Sequence, residues 1–331
     1  MKTVGINGFG RIGRCFTRLA LESTDMDVAL VNDLADIHTL AHLLKYDSIH
    51  GKLKFEFQIQ GESIHFDNGK IIRFCQYQNP VDIPWGKWNV STVVEATGLF
   101  LKREQAERHL VGGAKKVIIS APAADDDIKT IVLGVNDHIL LAEDKLVSNA
   151  SCTTNNVAPM LAVLREFCTI ESAYITTIHS YTTDQRLHDA PHKDLRRARA
   201  AAESIVPTST GAAKAITKIF PELEGRIGGC GVRVPVPNGS LTDLTLVVKN
   251  PPTVQEINER MQLAANSSLK GILAYTEDPI VSVDVLGNSA SCLFDAKLTS
   301  VVQNMIKVVG WYDNEAGYSN RLVDLVRKIH D

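Results

Sequence analysis

The chain has 331 residues, with 35 Lys and Arg against 38 Asp and Glu, for a formal net charge of −3. That length exceeds what one hydrophobic core usually serves, so two domains are expected, and the near-neutral charge gives no global reason to expect nucleic-acid, membrane or polyanion binding. No stretch approaches the roughly 18 apolar residues of a membrane span, and the start runs directly into a strand pattern with no signal peptide. The six cysteines (Cys15, Cys75, Cys152, Cys168, Cys230 and Cys292) are scattered. This pattern predicts a reduced, cytoplasmic chain without a disulfide framework or a metal site.

Residues 3–6 read as a short apolar strand, followed at once by Gly8-Phe9-Gly10-Arg11-Ile12-Gly13. A helix pattern then runs through Ile12, Cys15, Phe16 and Leu19, and a second strand, Val28 to Val31, ends at Asn32-Asp33. In such a βαβ unit Gly8, Gly10 and Gly13 serve a tight turn, close approach of backbone to a pyrophosphate, and helix-on-strand packing. The N–H groups of Arg11 and Ile12 open the helix toward the phosphates. Asp33 stands where a carboxylate binds the adenosine ribose hydroxyls, which favours NAD and leaves NADP as a secondary cofactor. A bare GxGxxG is a weak signal, but a strand before it, a helix after it and an acid at the right distance make it specific.

Thr39 to Leu44 reads as a short helical segment. Alternation through 52–57 and 62–66, with the turn Asp67-Asn68-Gly69 into Ile71-Ile72, predicts antiparallel hairpins added to a parallel fold. Thr92 to Gly98 reads as a buried strand ending in a turn at the cofactor, 103–112 as a helix, and Val117 to Ser120, Ile131 to Leu133 and Leu146-Val147 as further strands. The expected fold is α/β, a Rossmann-type doubly wound parallel sheet over residues 1–150, joined by a C-terminal helix at 315–331. A catalytic domain of α+β type with a mainly antiparallel sheet is expected over 151–314.

The stretch Asn149-Ala150-Ser151-Cys152-Thr153-Thr154-Asn155-Asn156 joins a strand end to a helix marked by Val157, Met160, Leu161 and Leu164. Cys152 is therefore expected at a strand-to-helix turn, where free N–H groups and the helix dipole stabilise a thiolate. The hydroxyls of Ser151 and Thr153 flank it as caps or anion ligands. The domain boundary near residue 150 is expected to put the thiol at the seam, where clefts form.

Further along, Ala173 to His179 alternates like a half-buried strand and delivers His179 at the start of a polar loop, Ser180 to Asp184. Lys193 to Arg199 is locally basic and reads as a solvated face or a phosphate-binding cluster. Thr208-Ser209-Thr210-Gly211 precedes a helix-like segment, an arrangement suited to a second anion. In Val232 to Pro237 the valines share one face and Arg233 takes the other, toward a polar cleft. Later strands are expected at 241–248, 280–286, 292–298 and 305–312, a helix at 253–265 and another at 321–329.

Taken together, Ile6-Asn7-Gly8-Phe9-Gly10-Arg11-Ile12-Gly13-Arg14, Ser148-Asn149-Ala150-Ser151-Cys152-Thr153-Thr154-Asn155, Ser209 to Ala215, Arg233-Val234-Pro235 and Trp311 to Glu315 resemble phosphorylating glyceraldehyde-3-phosphate dehydrogenases over the whole chain. The resemblance implies a glycolytic or gluconeogenic enzyme that turns D-glyceraldehyde 3-phosphate, NAD and inorganic phosphate into 1,3-bisphosphoglycerate through a thiohemiacetal and a thioester. It implies Cys152 as nucleophile and His179 as base. The substrate's own phosphate would sit at Thr182 and Arg233, and the attacking phosphate at Ser151, Thr153, Arg197, Thr210 and Gly211. NAD would lie on Arg11, Ile12, Asp33 and Ser120, with Asn314 orienting the nicotinamide carboxamide. The segment 180–205 looks like the loop that reaches a neighbouring subunit's cofactor site in a cytoplasmic homotetramer. Four residues depart from the family pattern: Asn156 for a second cysteine, Ala316 for an aromatic, Gln78 for an arginine, and Ala190 before Pro191. Erythrose-4-phosphate dehydrogenase is the nearest rival, although the intact Thr210-Gly211 loop argues against it, and a non-catalytic NAD- or RNA-binding protein is the remote one.

Overall fold

The computed structural model describes residues 1–330. They divide into two compact units, the first made of Met1–Ile131, Asp137–Ala150 and the chain from Ser319 on, the second of Val132–Asn136 and Ser151–Tyr318. Among the described residues no helix is long and apolar enough to cross a membrane.

The strands of the first unit are β1 (Lys2–Asn7), β2 (Met26–Asn32), a ribbon of β3 (Tyr46–Asp47) and β4 (Gly51–Lys52), β5 (Phe57–Gln60), β6 (Ser63–Phe66), β7 (Ile71–Cys75), β8 (Thr92–Glu95), β9 (Lys116–Ile119), β10 (Lys129–Thr130) and β11 (Leu146–Ser148). Nine of them form one sheet in the order β10-β11-β9-β8-β1-β2-β7-β6-β5. Pairing is parallel from β10 to β7 and antiparallel across β7, β6 and β5, so the hairpin strands extend one edge of a Rossmann-type parallel sheet. All four residues of β8 are buried, as a central strand covered on both faces requires. Helix α1 (Arg11–Glu22) lays Cys15, Phe16 and Ala20 against this sheet. Helix α2 (Ile37–Lys45) starts where the Asp36 carboxylate accepts the N–H groups of His38 and Thr39, each at 3.0 Å.

In the second unit α5 (Cys152–Leu164) is followed by β12 (Ile170–Ser180), β13 (Val206–Thr208), α6 (Ala212–Ile219), β14 (Ile227–Val234), β15 (Ser240–Val248), α7 (Val254–Asn266), β16 (Leu273–Thr276), β17 (Cys292–Asp295), β18 (Ser300–Val302) and β19 (Met305–Tyr312). Their sheet runs β13-β14-β12-β15-β19-β17-β16, with β18 beside β19. It is antiparallel except at β12–β14 and β16–β17, the mainly antiparallel sheet that was expected. Helix α5, apolar on nearly every side, packs on β15, β17 and β19. Helix α8 (Ala316–Lys328) closes the described chain.

Five stretches differ from the sequence reading, four of them because side chains capture backbone groups that a strand or longer helix would use. The strand read at 292–298 ends at Asp295, whose carboxylate accepts the Lys297 N–H at 3.1 Å. Residues 52–57 are not one strand: the Asp67 carboxylate accepts the Glu56 N–H at 3.2 Å, and the hairpin pairs β5 with β6 instead. The strand read at 131–133 lies earlier, at Lys129–Thr130, and cannot continue because Asn136 Oδ1 accepts the Val132 N–H at 2.7 Å. The strand read at 280–286 is a 3₁₀ turn over Ser282–Val285, anchored by Asp284, whose carboxylate accepts the Val281 N–H at 2.8 Å. The helix at 103–112 breaks at Glu107 into two single turns, α3 (Arg103–Ala106) and α4 (Arg108–Val111).

Candidate active site

A left-handed residue, Ala150 at φ +55°, turns the chain immediately before α5. Ser151 then caps the helix, its hydroxyl accepting the Thr154 N–H at 3.1 Å, and Cys152 is the first helical residue. From β12, His179 brings Nε2 to 3.5 Å from the Cys152 sulfur. Cys152 and His179, 27 residues apart, are thus neighbours. Burial pushes the Cys152 thiol up, opposed by the Arg233 guanidinium and the Thr153 N–H and hydroxyl. Burial, and then the Arg233 charge, push the His179 imidazole down to about 3, against a hydrogen bond with the Ser180 carbonyl that pulls the other way.

Arg233, delivered by β14 in register with His179, places one guanidinium nitrogen 2.7 Å from His179 Nδ1 and 2.9 Å from the Ser180 carbonyl. No carboxylate pairs with it among the described residues. Arg197 is held differently, donating Nε to Thr208 Oγ1 at 2.9 Å while Asp184 accepts from its Nη1. Thr210, one residue before the N-cap Gly211 of α6, accepts the Ala212 N–H at 3.2 Å, and a Cβ on Gly211 would meet nothing within 4 Å. The Thr153 hydroxyl is turned inward, 3.0 Å from the Tyr312 hydroxyl. Thr182 bonds through its backbone to Gln185 and makes no hydrogen bond to Arg233. Asn314 is fixed through its oxygen, which accepts the hydroxyls of Ser180 and Ser240 at 2.8 and 2.9 Å, leaving the NH₂ end of the amide to meet a ligand.

The roles of two residues lay outside the sequence reading. Tyr312 bridges Thr153 and Thr177 and sets its ring edge-on to His179, with centroids 5.9 Å apart. Its motif, Trp311 to Glu315, was visible, but which side chain turned inward was not. Asn156, in place of a cysteine, donates its amide to the Trp311 carbonyl at 3.2 Å and ties α5 to β19.

In the first unit the glycine-rich turn borders a cleft of about 320 Å³, lined by Asn7, Gly8, Gly10, Asp33, Gln78 and Thr97 among others. Gly8 has φ +94°, which few side chains tolerate, and a Cβ on Gly13 would stand 2.3 Å from the Gly8 carbonyl oxygen. A Cβ on Gly10 would meet nothing within 4 Å, so its bareness serves no internal packing and leaves room for a ligand to approach. Gly10 also caps α1 without a side-chain hydrogen bond, so its oxygen-free cap leaves the helix start open to phosphate. Asp33 accepts the Phe9 N–H at 2.7 Å, which stations its carboxylate at the cleft. These features fit a dinucleotide. Ser120 sits just past β9, and its N–H donates to the Glu95 carbonyl at 2.9 Å. Arg11 holds its guanidinium on Asp47 at 2.5 and 3.0 Å, so it is the backbone of Arg11 that opens the helix.

Beneath that cleft lies a cluster the sequence did not reveal. Glu95 accepts from Asn7 at 2.6 Å, from the Thr97 N–H at 2.8 Å and from the Thr97 hydroxyl. His109 Nε2 lies 2.9 Å from Glu95, and His109 Nδ1 accepts the Trp85 indole N–H at 3.1 Å.

A glycine-rich turn on a parallel sheet and a cysteine–histidine pair on a second, antiparallel one define an NAD-dependent oxidoreductase of two-domain α/β type. Residues 2–103 match the model of the glyceraldehyde 3-phosphate dehydrogenase NAD-binding domain, and residues 151–314 that of the same enzyme's C-terminal domain. Glyceraldehyde-3-phosphate dehydrogenase 2 of Streptomyces avermitilis is 56% identical over 325 residues, 97% of this chain and 96% of that protein. The corresponding proteins of Geobacillus stearothermophilus and Bacillus subtilis are 54% and 53% identical, each over 98% of this chain and 97% of the relative. The chain belongs to the glyceraldehyde-3-phosphate dehydrogenase family.

Proposed function

We propose that the chain oxidises D-glyceraldehyde 3-phosphate, with NAD and inorganic phosphate, to 1,3-bisphosphoglycerate in glycolysis or gluconeogenesis. The observation that carries this reading is the Cys152 sulfur 3.5 Å from His179 Nε2, with an unpaired Arg233 beside both. Residues 1–150 with the C-terminal helix form the NAD-binding domain in this reading, and 151–314 the catalytic domain. Gly8, Gly10, Arg11, Ile12, Gly13, Asp33 and Ser120 hold the dinucleotide, and Asn314 presents its NH₂ to the nicotinamide carboxamide. Bound NAD supplies the hydride acceptor.

The Cys152 thiolate adds to the aldehyde carbon, forming a C–S bond and a hemithioacetal. His179 takes the hydroxyl proton as that carbon is oxidised to a thioester. Phosphate oxygen then attacks the thioester carbonyl, the C–S bond breaks, an acyl phosphate leaves and the thiolate is restored. Arg233 and Thr182 bind the phosphate already on the substrate, and Ser151, Thr153, Arg197, Thr210 and Gly211 the incoming one. Arg197 must first loosen its pairing with Asp184, so phosphate entry competes with a surface ion pair. A cytoplasmic homotetramer fits the exposed segment at 180–205, where Leu187 and Leu195 are 63% and 82% exposed.

A steady-state assay tests the reading: NADH formation from glyceraldehyde 3-phosphate is expected only with phosphate present. Faster turnover of erythrose 4-phosphate, without a phosphate requirement, would assign the chain to the sister activity instead.

A further inference from the structure

Ser180 ends β12, Ser240 opens β15, and β19 ends at Tyr312, two residues before Asn314. Because β12 pairs antiparallel with β15, and β15 antiparallel with β19, these three termini lie at one end of the same sheet. There the side chains form a closed bracket. The Ser180 N–H donates to Ser240 Oγ at 3.1 Å, and the hydroxyls of Ser180 and Ser240 both donate to Asn314 Oδ1, at 2.8 and 2.9 Å. Both serines are at most 1% exposed. The Asp313 carboxylate accepts the N–H groups of Glu315 and Ala316, each at 2.8 Å, so the backbone carrying the amide is pinned as well.

The bracket decides which way the amide faces. Each hydroxyl carries one hydrogen, and Asn314 Oδ1 is the acceptor for both. With the amide turned over, its NH₂ would confront the two hydroxyls, and two buried O–H donors would lose their acceptor. The NH₂ end has no partner among the described residues, so Asn314 offers a ligand donors only. We propose that Ser180 and Ser240 set the specificity of Asn314 toward the cofactor. By holding the amide oxygen inward they make the site read the carbonyl oxygen of the nicotinamide carboxamide alone, and disfavour an analogue in which a poor acceptor replaces that oxygen. The inference rests on reading Asn314 as the residue that meets the nicotinamide. An asparagine free to turn would serve either end of the carboxamide, donating to its oxygen or accepting from its NH₂. Ser180 and Ser240 act through Asn314 and are positioning residues.

Calorimetry on the full-length chain compares three ligands: NAD, its thionicotinamide analogue, in which sulfur replaces the carboxamide oxygen, and ADP-ribose, which has no nicotinamide. Sulfur is the weaker acceptor, so the unmodified chain is expected to bind NAD about tenfold more tightly than the analogue. With Ser180→Ala and Ser240→Ala combined, the amide can turn and accept from the NH₂ that both ligands keep. The ratio should then fall to about twofold, with ADP-ribose affinity changed by less than about twofold. Ser180→Ala alone leaves one hydroxyl on the oxygen and should give a ratio in between, which keeps the test open if the double variant does not fold. Ser240→Thr retains the hydroxyl and should keep the ratio of the unmodified chain. General loosening of the site would weaken NAD and its analogue in proportion, so an unchanged ratio in the serine-to-alanine variants overturns the proposal. An unmodified chain that binds NAD and the analogue equally also overturns it. Equal affinity for NAD and ADP-ribose in the unmodified chain would detach Asn314 from the nicotinamide and overturn the reading beneath the proposal as well.

Discussion

Around Glu95 every polar atom finds a partner of the right kind, whereas around His179 donors and acceptors do not match. The Glu95 carboxylate takes hydrogen bonds from Asn7, Thr97 and His109, and Trp85 and Asn32 complete the outer contacts. Glu95, His109 and Trp85 are at most 1% exposed. A buried network that is fully satisfied is rigid, and this one backs Asn7, Asn32 and Thr97 along the dinucleotide cleft. At the thiol, burial opposes both charged forms, and His179 Nδ1 faces a guanidinium donor and a carbonyl acceptor at once. The difference separates two tasks. A cofactor cleft benefits from one fixed arrangement, while at the thiol the ring meets a donor and an acceptor on the same nitrogen.

The sharpest way to break this contrast is to remove the thiol. Cys152→Ser is expected to lower NADH formation by at least about 10⁴-fold while calorimetric NAD affinity stays within twofold. Retained turnover would detach the chemistry from this site. His179→Asn comes next, with kcat expected to fall about 10²- to 10⁴-fold and KM for the aldehyde little changed. A large rise in KM with kcat intact would make His179 a binding residue.

In the rigid cluster the expectation reverses. Glu95→Gln replaces an all-acceptor group with one that donates, leaving buried donors unmatched, and should cost about 1–3 kcal/mol in urea unfolding. NAD affinity should weaken about tenfold with kcat nearly unchanged, because Thr97 and Asn7 lose their anchor. An equal fall in kcat and affinity would blur the proposed division.

The smallest effect concerns pH. His179 falls from its ordinary 6.5 to about 3 in the folded chain, so between those values the unfolded state binds a proton that the folded state does not. Stability contributed by the neutral ring is therefore present above about pH 6.5 and is lost as pH falls toward 3. From pH 6.5 to 4.5 the loss from this residue should be about 2 kcal/mol, and His179→Asn should flatten that part of the urea-midpoint profile. An unchanged slope would mean that the ring is charged in the folded chain.

What the sequence disclosed follows the range of each signal. The glycine turn, Asp33 and the strand-to-helix turn at Cys152 are written in contiguous residues, because βαβ geometry and helix capping are local. The mainly antiparallel second sheet was legible from the clustering of strands in the second half of the chain. The Glu95 cluster was not, since Asn7 and Glu95 are 88 residues apart, and so were Glu95 and His109 at 14 without a helical or strand repeat joining them. The false strand at 280–286 shows the same limit from the other side: its valines alternate correctly, but Asp284 spends its carboxylate on the Val281 N–H and closes a turn. Cys152 and His179 were each noticed at an element end. That they meet depends on α5 packing on the sheet, and that Arg233 joins them depends on strand pairing between β12 and β14, neither of which a local pattern specifies.

The most direct measurement of the central claim is mass spectrometry of the intact chain mixed with glyceraldehyde 3-phosphate and NAD in the absence of phosphate. A single phosphoglyceroyl adduct on the peptide carrying Cys152, formed with one equivalent of NADH and discharged when phosphate is added, is the expected result. Sustained NADH formation with Cys152 unmodified throughout would contradict it.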